Sequence, residues 1–372
     1  VPSTSNGIHP ANDYQSASGN IAILQSDYEL LDFGLKKARV NNAEAYADLT
    51  QADLNREEYL LKWQVGKLYF EILKNQFQLG IDLENNRRYE SIYSVIKALT
   101  GSGIKPGADS SLALAELAKS RITYNQTLGQ IKQLQQQLSY LSGIAADRIS
   151  IDTNQTKNYF SSVDNLSMGN FHDTTYNPLT EYYNKQKALY VQTEDLVRKS
   201  FLPKVLLTGS AWARGSSIDY TGDYKTLSYG LGYQRYNYML GATFVYDLFN
   251  GVHKKDKATI SHYNTIASDY HLQQEQLSLN NISNQANESI LTAEKNLFEI
   301  PVQIRAAEDT YGQKTAQYKA GIINLIDLTN ASFVLYRSQS DYVQTLSDWL
   351  LANLDKAAST GNLDLFIQTV KK

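Results

Sequence analysis

YKAGIINLIDLTNASF, residues 318–333, interrupts what otherwise reads as one very long helix. Gly321 ends the helical pattern, and a new pattern begins within a few residues, with Asp327 in its first turn. The same signal occurs 218 residues upstream, in GSGIKPGADSSLALAEL, residues 101–117. Gly103, Ile104 and Asp109 there stand where Gly321, Ile322 and Asp327 stand here.

The correspondence extends far beyond the turn. At the same offset Tyr28, Leu30, Lys36 and Lys37 meet Tyr246, Leu248, Lys254 and Lys255. Leu54, Glu57, Leu61, Ile72, Leu73 and Leu79 meet Leu272, Glu275, Leu279, Ile290, Leu291 and Leu297. Fixed-period self-similarity is the mark of a duplicated unit. The chain reads as a tandem repeat with an offset of 218. Residue 1 aligns to 219, so a complete first copy would need some 45 further residues before Val1.

Each copy opens with alternating segments. In MLGATFVYDLF (239–249), Leu240, Ala242, Phe244, Tyr246 and Leu248 share one side, and Gly241, Thr243, Val245 and Asp247 the other. Ala22, Leu24, Tyr28 and Leu30 oppose Gln25, Asp27 and Glu29 in the first copy. LPKVLLTGSAWARG (202–215) sets Val205, Leu207, Gly209 and Ala211 against Lys204, Thr208 and Ser210. Such strands fit a barrel between lipid and a wet lumen, and equally one side of a soluble core.

A long helix follows each opening. From Gly34 to Leu99 there is no proline, and Leu54, Leu61, Val65, Leu68, Ile72 and Leu79 follow a four-three spacing. The second copy keeps the phase with Leu272, Leu279, Ala286, Ile290, Ala293 and Leu297. This predicts coiled-coil seams, with Pro301 bending or interrupting the second helix. Shorter helices are expected at about 109–142, with a seam of Leu117, Tyr124, Ile131 and Leu138, and at about 327–358. Short connections make antiparallel neighbours. Residues 144–177, rich in Asn, Asp, Ser and Thr, break the pattern. Asn177 and Pro178 then read as the cap and first turn of another helix.

Composition narrows the function classes. Thirty-five basic residues against 38 acidic ones give no electrostatic footprint for nucleic acid. No run of 18 apolar residues is present, so no transmembrane helix is encoded. In lipid that leaves only a closed barrel. There is no cysteine, hence no disulfide or thiolate chemistry. Twenty-seven tyrosines suit either aromatic girdles or core packing. His253, His262 and His271 are nine residues apart, which alternates helix faces and excludes one shared metal. GSGIKPG lacks both the dinucleotide and the phosphate-loop spacing. The expectation is a non-enzyme with no catalytic residue, cofactor or metal. The start, VPSTSNGIHP, has no basic and apolar leader.

The chain resembles the TolC-like outer membrane factors, trimeric efflux and secretion channels of Gram-negative bacteria. RKSFLPKVLLTGSAW (198–212), GATFVYDLFNGVHKK (241–255) and the long run from Tyr318 to Leu363 carry the resemblance, which covers essentially the whole chain. It implies a mostly α-helical protomer with a few transmembrane strands, three protomers sharing a twelve-stranded barrel, and a periplasmic tunnel of antiparallel helical hairpins. It implies a periplasmic adaptor and an inner-membrane transporter as partners, with outer-membrane lipid around the barrel. On it the segments are 1–31 (partial β segment), 32–143 (first hairpin), 144–201 (equatorial linker and helix), 202–250 (β-hairpin), 251–360 (second hairpin) and 361–372 (C-terminal equatorial segment). Three strands are visible, and a fourth must come from residues 1–18 or be missing.

The resemblance assigns Tyr318, Asp327, Asn330 and Asp109 to a pore constriction, and Gly103, Ile104, Gly321 and Ile322 to the adaptor-contacting tips. The family's gate arginine is replaced here by Ile323, and a second ring aspartate by Asn330. Against pore lining, an aspartate at a helix start is ordinarily a cap or dipole partner. The alternative for the whole chain is a periplasmic coiled-coil adaptor or spacer without a barrel.

Overall fold

In the computed structural model the described residues are 15–151, 176–219, 221–249 and 251–370. The element order is β1 (Gly19–Leu31), α1 (Leu35–Gly101), α2 (Gly107–Ser142), α3 (Pro178–Ser200), β2 (Lys204–Ser216), β3 (Arg235–Val245), α4 (Gly251–Lys319), α5 (Leu325–Ser359) and α6 (Leu363–Val370). Most of the polar stretch 144–177, and most of residues 1–18 considered for a further strand, lie outside the described residues. The chain forms two compact units: Val1–Leu49 with Lys185–Tyr270, and Thr50–Asn184 with His271–Lys372.

The first unit holds an antiparallel sheet in the order β1-β2-β3. Residues directly opposite in such a ladder share a face. Leu24, Ala211 and Tyr238 are opposite one another, as are Tyr28, Leu207 and Ala242. Gly209 meets Leu240, and Leu31, Val205 and Phe244 line up at the helical end. The three apolar sides predicted strand by strand therefore merge into one. The other face is mixed: it carries Gln25 with Ser210, Asp27 with Thr208, and Lys204, Asn237 and Thr243, but also Ile23 with Trp212, Leu206 and Met239. Asp27 accepts a hydrogen bond from Thr208 Oγ1 at 2.7 Å across the strands.

Two details differ from the sequence reading. The register shifts between Glu29 and Leu31, so Leu31 rather than Leu30 stands opposite Val205. An inserted residue breaks the two-residue period, and alternation alone cannot show it. The ladder of β3 also ends at Val245, leaving Tyr246 and Leu248 beyond the strand. At the turn into α1, Asp32 carboxylate oxygens accept the N–H groups of Gly34 and Lys36, closing the helix start.

The second unit is a helical bundle. Its main core joins Tyr59, Phe70, Ile72 and Leu73 of α1 to Leu279, Ala293 and Leu297 of α4 and Leu346, Trp349, Leu350 and Leu354 of α5. Phe366 of α6 closes the cluster, its ring edge-on to Phe70 at 6.0 Å. The α4 seam is largely as expected, with Leu272, Leu279, Ala286, Ala293 and Leu297 buried and Ile290 half-buried against the core. In α2, Leu117, Ile131 and Leu138 are buried while Tyr124 is half-buried. The expected α1 seam fails at its start: Leu54 and Leu61 are exposed, and Ala52 and Tyr59 are buried instead. Tyr59 is held there by its hydroxyl, which donates to the Ala358 carbonyl at 2.8 Å. The helix α4 runs unbroken through Pro301. Proline removes a single N–H from the ladder, and the buried Leu297 and Ile300 just before it anchor the helix.

Asn177 caps α3 as expected, accepting from Leu179 N–H at 3.0 Å. Its amide group also donates to the Ser359 carbonyl at 2.9 Å, so one side chain serves the ends of two helices.

A buried polar cluster ties three helices. Asp82 of α1 is 1% exposed. Its carboxylate accepts from Thr127 Oγ1 of α2 at 2.6 Å, Tyr336 Oη of α5 at 2.9 Å and Gln78 Nε2 at 2.9 Å. Burial, then the Asp82 charge, pushes the Tyr336 phenol up to about 12, so it stays a donor. Asp82 continues the four-three spacing from Leu79, and a polar residue at a seam position fixes register. Replacing Asp82 with Ala leaves the buried Thr127 hydroxyl and the half-buried Tyr336 hydroxyl without this acceptor. We expect a loss of about 2–4 kcal/mol in thermal or denaturant unfolding. A loss below about 0.5 kcal/mol would show that the cluster does not hold these helices together.

Candidate functional site

Both helical hairpins turn in the same way. At the end of α1, Gly103 N–H bonds the Thr100 carbonyl at 3.1 Å and Ile104 N–H the Leu99 carbonyl at 2.9 Å. At the end of α4, Gly321 N–H bonds the Tyr318 carbonyl at 3.0 Å and Ile322 N–H the Gln317 carbonyl at 2.9 Å. This pair of bonds is a Schellman motif, which requires a left-handed residue after the helix. Gly103 at φ 73° and Gly321 at φ 75° supply it, where a side chain would be strained. Each motif leaves an isoleucine at the apex, Ile104 being 67% and Ile322 73% exposed.

The two tips pack on each other. Tyr89, Ile92 and Ile96 of α1, Ala113 and Leu117 of α2, Tyr318 of α4, and Leu325 and Leu328 of α5 form one buried cluster. Ile323, where the resemblance would expect an arginine, packs against this cluster. The tip is therefore held by apolar contact.

Tyr318 is the buried centre, 7% exposed, and its hydroxyl has no hydrogen-bond partner. Burial, and next the carboxylate of Asp109, push its phenol up. The Lys105 ammonium stands over its ring, 5.4 Å from the centroid. Residues of the two tips, Tyr318 on one and Lys105 and Asp109 on the other, thus come together. The sequence marked Tyr318 and Asp109 but passed over Lys105, which no spacing rule singles out.

Neither aspartate is a helix cap. Asn324 caps α5, its side-chain oxygen accepting from Asp327 N–H at 2.9 Å. Pro106 occupies the cap position of α2 and makes no side-chain bond. Asp109 and Asp327 are each the third residue of their helix, with half-buried carboxylates in the positive field of the first turn. Asn330, one turn further along α5, is exposed. Asp327 and Asn330 lie on the side of α5 away from Leu325 and Leu328 and do not join Tyr318 in the cluster.

Above the tip, Arg88 is a second group that the sequence did not mark. Its guanidinium reaches Gln339 Oε1 and Asn85 Oδ1 at 3.4 Å, and its Nε has no partner. Burial pulls its pKa down, with Tyr311 and Glu84 opposing.

Comparison with known proteins gives the site its setting. A sequence profile described as outer membrane efflux protein matches residues 3–144 and 191–362. None of the curated protein sequences matches. Among solved structures, the outer membrane protein VceC of Vibrio cholerae superposes with a TM-score of 0.74 at 12% identity, covering 93% of this chain and 87% of its own. The outer-membrane channel OprN gives 0.74 at 14%, covering 93% and 80%. The Campylobacter jejuni channel CmeC gives 0.72 at 13%, covering 96% and 81%. The chain belongs to the outer membrane efflux protein family, whose members are channels rather than enzymes, set in the outer membrane and extending into the periplasm.

Proposed function

We propose that three copies of this chain form the outer-membrane duct of a tripartite efflux or type I secretion system. The supporting observation is the sheet register: three strands present one mostly apolar face, interrupted by Ser26, with Leu24, Tyr238, Leu240 and Phe244 all exposed. At about 3.4 Å per residue the 11 residues of β3 span about 34 Å. Tilted by ~40° in a barrel wall, that is about 26 Å of height, the thickness of the apolar band of such barrels. β1 and β3 each leave one edge unpaired among the described residues. Edges in lipid must be closed, and neighbouring copies would close them. The described residues give three of the four strands that a twelve-stranded barrel asks of each copy.

Segments 32–143 and 251–360 are then the periplasmic hairpins, 1–31 and 202–250 the barrel parts, and 144–201 and 361–372 the equatorial parts. The α1–α2 turn and the α4–α5 turn lie 218 residues apart, which supports their origin by duplication. The tips bearing Gly103, Ile104, Gly321 and Ile322 meet the periplasmic adaptor, which links the duct to an inner-membrane transporter. Exposed apolar side chains at both apices suit that contact. Asp327 and Asn330 face the pore, and Tyr318 and Asp109 hold the two hairpins of one copy together. Three aspartates around a threefold axis attract cations and slow anions. The duct is passive and takes its energy from the transporter.

Single-channel conductance in planar bilayers tests the constriction. Wild-type channels should be narrow and cation-selective, and a di- or trivalent cation on the periplasmic side should block them. Asp327→Ala should reduce that block at least tenfold in cation concentration. Block that is unchanged by the substitution would place Asp327 outside the pore.

The sheet faces can be tested separately. Leu240→Arg should lower assembly in the outer membrane by a cost of about 2–4 kcal/mol. Met239→Arg, on the opposite face, should assemble nearly as wild type. Equal effects of the two would contradict a lipid-facing side.

A further inference from the structure

The connection from β2 to β3 does not rise straight off the sheet. Ser18 and Asn20 belong to the same face as Leu24, and Gly215 lies opposite Asn20. On that face the Ser18 hydroxyl donates to the Leu227 carbonyl, and Asn20 Nδ2 donates to the Leu231 carbonyl at 2.7 Å. Gln234, in phase with Tyr236 and Tyr238, donates to the Tyr229 carbonyl. Three alternate carbonyls of the connection are thus drawn down by the apolar face. Two glycines let it come close: a Cβ on Gly215 would collide with the Gly232 carbonyl, and one on Gly230 with Ser18.

The side chains of those same loop residues point away. Leu227, Tyr229, Leu231 and Tyr233 are all exposed, Leu231 at 63%. They continue the apolar surface of Tyr236 and Tyr238 beyond the end of the strand. Lys225 borders the patch, its ammonium 4.6 Å from the centre of the Tyr229 ring and 2.7 Å from Asp219. A loop that guarded the pore would fold over the other face, where Arg214, Arg235 and Asn237 stand at this end of the sheet. This one folds over the opposite face.

We propose that residues 227–233 are a lipid-contacting collar, folded back on the outer wall of the barrel so that its leucines and tyrosines enter the bilayer interface. The chemistry fits the partner: aromatic rings with a polar tip favour the headgroup level of a membrane, and a basic residue at the edge of an apolar patch can reach the headgroups. The collar widens the apolar band beyond the ladder and anchors the barrel against vertical movement. It rests on the reading that the face of Leu240 meets lipid.

The chain has no cysteine, so single cysteines can be placed at will. Nitroxide labels at Leu231→Cys, Leu240→Cys and Met239→Cys, in the full chain reconstituted into phosphatidylcholine–phosphatidylglycerol vesicles, would be compared by accessibility to oxygen and to a water-soluble nickel chelate. The collar predicts that position 231 resembles 240, with oxygen favoured over nickel several-fold relative to 239. Nickel accessibility at 231 equal to that at 239, with 240 still in lipid, overturns the collar and leaves the barrel face standing. Exclusion of both reagents at 231 marks a protein contact and overturns the collar as well. Nickel access at 240 itself overturns both readings.

Discussion

Everything in the first unit depends on how three strands are registered. Each strand alone is an ordinary amphipathic segment, and each could have lain on a soluble core. Paired as they are, with Leu24, Ala211 and Tyr238 abreast, their apolar sides become one surface on which Leu24, Tyr238, Leu240 and Phe244 stand exposed. A slip of one residue in either pair would mix Asp27 or Thr243 into that surface. The register is therefore what converts three weak signals into a face suited to lipid. Membership of the outer membrane efflux protein family supplies the lipid.

The second unit solves a different problem, that of turning long helices tightly. Left-handed glycines after α1 and α4 end each helix within one residue, and Asn324 starts α5 almost at once. The economy of these turns puts bare isoleucines at the apex and brings Tyr318 of one hairpin under Lys105 of the other. Ile323 joins the apolar packing around Tyr318 that holds the tip. The Asp82 cluster adds a polar tie between α1, α2 and α5 away from the tip.

Much of this was legible in the sequence, because glycine turns, strand alternation and helix caps are local events. Gly103, Gly321, Asn177 and the α4 stripe follow from neighbours within a few residues. What escaped is tertiary. Leu54 and Leu61 fit a seam by spacing, yet Tyr59 takes the buried side because its hydroxyl finds the Ala358 carbonyl some three hundred residues on. Asp82 stood at a seam position in plain view, but its partners Thr127 and Tyr336 are on other helices. The bulge after Glu29 is fixed by pairing with β2, which alternation within β1 does not report. The aspartates were weighed as caps, and the structure gives that role at α5 to Asn324. Lys105 meets Tyr318 only after two hairpins have packed.

The central claim is that the open edges of one sheet are closed by other copies of the chain, leaving its apolar face to lipid. The most direct test is the number of chains per particle, measured by light scattering or native mass spectrometry on protein extracted from membranes in mild detergent. The account predicts three chains in a single species that aggregates or falls apart when detergent is withdrawn. A monodisperse single chain that stays in solution without detergent would contradict it.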